Sequence, residues 1–115
     1  MKPTIFLSAL FASLLAGCAS VGEVRHVLTG DEHPPIQADA VKVTQIRPVL
    51  SEPVATFMAS APGSTQDSFD AAVKATKEDA AKLGANGLTV THWKYIEGRE
   101  TYLDGIEWWL PDFAK

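Results

Sequence analysis

Histidines and carboxylates gather at one point of this 115-residue chain: His26, Asp31, Glu32 and His33. Their spacing matches no zinc-binding pattern. Gly30, Pro34 and Pro35 around them make the segment read as a solvated, turn-rich loop. His92 stands alone in an alternating run, where a packed or edge imidazole is expected rather than a ligand. Glu97, Glu100 and Glu107 surround a hairpin near the end, where carboxylates suit a solvated edge and discourage strand pairing. Serines are plentiful, yet no Gly-x-Ser-x-Gly turn gives one of them a nucleophile's setting. No glycine-rich loop follows a strand to cradle a phosphate. The expectation is therefore no catalytic residue, no metal ligand set and no cofactor, and hence no enzyme.

One residue does carry chemistry of another kind. Residues 5–16 form an almost unbroken apolar run after Lys2. About 12 residues are too few to cross a hydrocarbon core of ~30 Å as a helix, and suit the core of an export signal. The run leads into Leu15-Ala16-Gly17-Cys18, which resembles the lipobox of bacterial lipoproteins. The resemblance implies cleavage before Cys18, a diacylglycerol on its thiol and an acyl chain on the new amine. Residues 1–17 are then a signal peptide, 18–23 the lipidated end and a short tether, and 24–115 a single domain. Cys18 is the chain's one cysteine, so no disulfide within the chain is available. Ala19 follows it, where aspartate tends to hold lipoproteins of that family at the inner membrane. The expected place is the periplasmic face of the outer membrane. Five extended residues reach at most ~18 Å, so the domain is expected close to its membrane.

Charge narrows the partners. The formal net charge is -4, with Lys2 the only charged residue before Cys18. An acidic domain without a basic stripe is a poor binder of nucleic acid. Attachment to the membrane is expected through the lipid alone.

The domain is organised around residues 64–95. Phe69, Val73, Thr76, Ala80 and Leu83 recur at steps of three and four, which predicts a helix with those residues inward. Ser64 or Thr65 can cap its start, and Gly84 can end it in the left-handed conformation. Residues 41–46, 53–59 and 87–95 read as strands, and another is expected at about 105–110. Residues 24–28 are a weaker first strand. Two turns compete before the last strand: a wide one at Gly98, or a two-residue hairpin at Asp104-Gly105. The plan is α+β, β-β-α-β-β, with a small sheet of about four strands and one long helix on one face.

Residues 41–95, most specifically Leu83-Gly84-Ala85-Asn86-Gly87-Leu88, resemble the envelope domains typified by the stress-sensing lipoprotein RcsF and the YbjQ-type domains. The resemblance implies the same fold and an envelope setting. It does not carry over the stress-sensing role. RcsF has disulfide-forming cysteines in its domain and a long proline-rich segment before it, and this chain has neither.

Trp93, Trp108 and Trp109 are a large aromatic content for so small a domain. Neighbours in a strand point to opposite faces, so Trp108 and Trp109 are expected to be unequal: one in the core, the other on a contact surface. The functional expectation is a non-enzymatic outer-membrane lipoprotein that binds other envelope proteins or has a structural or sensory role. The alternative is a periplasmic small-ligand or metal-binding module. A flat exposed aromatic face favours the first, a concave pocket with convergent polar groups the second.

Overall fold

Five strands and one 17-residue helix make up residues 21–111, the part that the computed structural model describes. The apolar N-terminal run, Cys18, Ala19 and residues 112–115 lie outside the described residues. The strands are β1 (Glu23–Leu28), β2 (Lys42–Thr44), β3 (Glu52–Pro62), β4 (Gly87–Ile96) and β5 (Glu100–Trp109). The helix α1 (Gln66–Lys82) sits between β3 and β4, and a short 3-10 turn (Ala38–Ala40) precedes β2. One sheet holds all strands in the order β1-β3-β5-β4-β2. Every pairing is antiparallel except β2 with β4.

The α+β plan with a helix on one face is what the sequence pattern predicts, but the sheet has five strands, not about four. The extra one is the weakly patterned residues 24–28. As β1 they pair with β3 from Glu23↔Ser60 to Leu28↔Ala55. An edge strand has little core contact to impose alternation, and Arg25 and Val27 are both exposed. The chain turns at Gly98, and β5 runs unbroken through Asp104-Gly105.

Local chemistry explains the helix ends. Thr65 Oγ1 accepts from the Ser68 N–H, and Ser68 Oγ faces the Thr65 N–H, a capping box that secures two otherwise unpaired donors. At the other end Gly84 has φ of +75°. A Cβ there would also strike the His33 carbonyl, because the loop after β1 packs on this helix end. The His33 N–H donates to the Leu83 carbonyl at 2.9 Å, and the Ile36 N–H to the Ala81 carbonyl at 3.0 Å. The segment expected to be a solvated loop is therefore the cap for the helix's unpaired carbonyls.

The buried stripe of α1 is Ser68, Ala72, Thr76, Ala80 and Ala81, with Leu83 just beyond it. Phe69 and Val73, expected inward, are half-buried at its flank. Small residues let the helix approach the sheet, and Phe57, Leu88 and Leu103 from the strands fill the space between. Among the described residues, no helix lies on the other face of the sheet. Met58 and Val27 stand there 64% and 68% exposed.

Candidate functional site

Strand alternation places three groups of different chemistry at the seam between β1, α1 and β5. His26 is paired with Phe57, a core residue, so its side chain belongs to the helix side of the sheet. Asp79 lies on α1, one residue before the buried Ala80. On β5, Thr101, Leu103, Gly105 and Glu107 alternate inward, and all four are buried. Glu107 is paired with Ala55 on one side and Leu88 on the other, both fully buried.

His26 Nδ1 donates to both oxygens of Asp79, at 2.9 Å each. The His26 side chain is 31% exposed and that of Asp79 15%. Glu107 lies behind them with no exposure. Among the described residues, neither of its carboxyl oxygens has a hydrogen-bond partner. One donor atom from each of His26, Asp79 and Glu107 lies within 4.8 Å of the other two. Burial, reinforced by the neighbouring Asp79 carboxyl, pushes the Glu107 carboxyl up to about 9. The arrangement is a line from solvent to core, with an imidazole outermost, a carboxylate next and a carboxyl innermost. Such a set can share a proton or hold a cation.

Glu107 corrects the sequence expectation, which has it solvated at a sheet edge. β5 is a central strand between β3 and β4. Period-two reading through Asp104-Gly105 puts Glu107 with Leu103; a hairpin at that dipeptide would have broken the run. Asp79 carries no comparable sequence signal, since it is one acid among several on a polar helix. His26 joins these two, while Asp31 and Glu32 are exposed. His33 is half-buried and stacks on Trp109, with ring centroids 4.0 Å apart and planes 10° from parallel. His92 is on the uncovered face, with Nδ1 3.1 Å from Asp104 Oδ1.

The structure puts Trp108 and Trp109 in different surroundings. Trp108 has no exposure, and its Nε1 donates to Thr89 Oγ1 at 2.9 Å. Its ring lies against Gly87, where any Cβ would collide with it. Trp109 is half-buried beneath His33. The exposed aromatic surface is elsewhere. Trp93 is 57% and Tyr95 40% exposed, packed edge-to-face, with Phe69 edge-on to Trp93. They lie on the part of β4 beyond β2, whose pairing ends at Thr44↔Thr89. That stretch has β5 as its ladder neighbour and, among the described residues, no strand paired on its other side.

No family model matches the chain, and no curated protein does. Among solved structures, it is similar to the crystal structure of a Francisella virulence factor, FvfA, in its orthorhombic form. The two share 18% identity and a TM-score of 0.57, over 75% of this chain and 96% of that one. At that identity the likeness shows the fold.

Proposed function

We propose that this chain is a non-enzymatic bacterial lipoprotein, anchored through Cys18 at the periplasmic face of the outer membrane, whose domain binds other envelope proteins. The observation that carries the binding role is the open edge of β4 with Trp93 and Tyr95 along it. Unpaired backbone groups on a strand edge offer a ladder to an incoming strand, and adjacent aromatics supply apolar contact. β1 starts at Glu23, five residues after Cys18, which favours a domain held near the lipid surface. The likeness of residues 41–95 to RcsF- and YbjQ-type domains supports an envelope setting. Trp108 is too buried to serve as a contact surface, so Trp93 takes that role.

Two measurements test the reading in cells that make the full chain. A clickable fatty acid should label the wild type and leave Cys18→Ala unlabelled; equal labelling of both sinks the anchor. A photo-crosslinking residue at position 93 should give a discrete adduct of higher mass, and one at position 58 should not. No adduct from position 93 removes the binding role. The second reading, a metal-binding module, is favoured by the cluster of His26, Asp79 and Glu107.

A further inference from the structure

We infer that His26, Asp79 and Glu107 form a binding site for a single divalent transition-metal cation of the zinc type. The inference deepens the second reading above and is independent of the lipid anchor and the β4 edge.

The donor set is one imidazole nitrogen and two carboxylate groups, drawn from three different elements. Borderline cations such as Zn²⁺ take this mixture, with bonds of about 2.0–2.2 Å. Tetrahedral coordination at those lengths sets donor atoms roughly 3.4 Å apart. In this structure they lie within 4.8 Å of one another. Closing on an ion therefore needs side-chain movements of about 1 Å, not a rearranged fold.

Glu107 separates this cluster from an ordinary surface pair. Its carboxyl is wholly buried, on a central strand, with both oxygens unpartnered and close to Asp79. Buried polar atoms without partners are rare and costly, and a cation at the seam would satisfy them. It would also neutralise two carboxylates that otherwise oppose each other. His26 presents its nitrogen to the same point once the imidazole proton sits on Nε2. The partial exposure of His26 and Asp79 gives the ion a path in. Three protein ligands leave a fourth position for water or for a donor from a partner.

The test uses the full chain in detergent micelles, stripped with EDTA and dialysed, and then titrated with ZnCl₂. Saturable binding of one ion per chain is expected, with a rise in melting temperature as Zn²⁺ is added. Glu107→Gln and His26→Ala should each weaken binding by at least about tenfold. His92→Ala should leave it unchanged, because that imidazole pairs with Asp104 on the open face. Should a variant fail to fold, the imidazole resonances of the wild type give the same answer. Those of His26 should shift with Zn²⁺, and those of His33 and His92 should not. Absence of saturable binding, or binding that both variants and the His26 resonances ignore, would show a hydrogen-bonded cluster only and overturn the inference.

Discussion

Two histidine–aspartate pairs of nearly equal geometry stand on this sheet and differ in almost everything else. His26 and Asp79 are 2.9 Å apart at the helix–sheet seam; His92 and Asp104 are 3.1 Å apart on the uncovered face. The side chains of the first pair are 31% and 15% exposed, those of the second 82% and 49%. Behind the first stands Glu107, buried and unpartnered. Asp104 instead also accepts from Thr91 Oγ1 at 3.0 Å, at the surface. Distance alone therefore says little about what a pair can do. Water screens the outer pair, while the inner one sits where a third group has lost its solvation and gained nothing in exchange.

The sharpest way to test that contrast is to neutralise Glu107. Its carboxyl titrates at about 9 in the fold against 4.5 for an ordinary glutamate. Between those values the folded state holds a proton that the unfolded state has lost. Stability is thus full below about pH 4.5 and falls as pH rises toward 9. The slope is at most about 1.4 kcal/mol per pH unit, so the loss from pH 5 to pH 8 is on the order of 4 kcal/mol. In EDTA, urea melts of the wild type should show this decline. Glu107→Gln keeps the shape and removes the titration, so it should be flatter with pH and more stable than wild type at pH 8. A wild type as stable at pH 8 as at pH 5 would mean that Glu107 reaches solvent. Asp104→Asn on the open face should change stability by under about 0.5 kcal/mol at either pH.

The adjacent tryptophans repeat the contrast between inside and rim. Trp108→Ala removes a fully buried indole and its hydrogen bond to Thr89, at a cost of about 3–5 kcal/mol. That is much of the ~5–15 kcal/mol that holds an ordinary domain together. Trp109→Ala loses a half-buried ring and its stack on His33, and should cost about 1–2 kcal/mol. Equal urea midpoints for the two variants would break the distinction.

How much of this was legible in the sequence follows from how each part is encoded. The capped helix, the glycine stop at Gly84 and the strands at β2, β3 and β4 have local signatures, and sequence reading locates them. Alternation puts Trp108 and Trp109 on opposite faces, but it does not say which is buried: Trp109 shares the helix side, and Trp108, on the other face, is the one with no exposure. β1 is hard to see because an edge strand has few core contacts to pattern it. The inward stripe of α1 is read rightly at Thr76, Ala80 and Leu83 and misjudged at Phe69 and Val73, which are half-buried because Ser68 and Ala72 occupy the closest approach to the sheet. The cluster is the least legible part. His26, Asp79 and Glu107 are spread over 82 positions of the chain and meet only after the strands order themselves β1-β3-β5. No spacing rule joins them, and Glu107 is concealed by a dipeptide that resembles a turn.

The smallest effect expected, and the most direct comparison, is the coupling within each pair. A double-mutant cycle with His26→Ala, Asp79→Ala and both changes together isolates their interaction from whatever each contributes elsewhere. The inner pair is half-shielded by α1 and β1, and should couple by about 1–2 kcal/mol, in the range of hydrogen bonds to charged groups. The matching cycle for His92 and Asp104 should give under about 0.5 kcal/mol, since solvent competes for both partners and salt screens them. The outer value should fall further on adding 0.5 M NaCl, and the inner one should fall less. EDTA in both cycles keeps a bound ion from adding to the inner value. Removing Asp79 also removes a neighbour of Glu107, so the inner cycle is repeated in Glu107→Gln. If the coupling persists there, it belongs to the pair. If it vanishes, what held His26 and Asp79 together was the buried carboxyl behind them, and the three residues act as one unit.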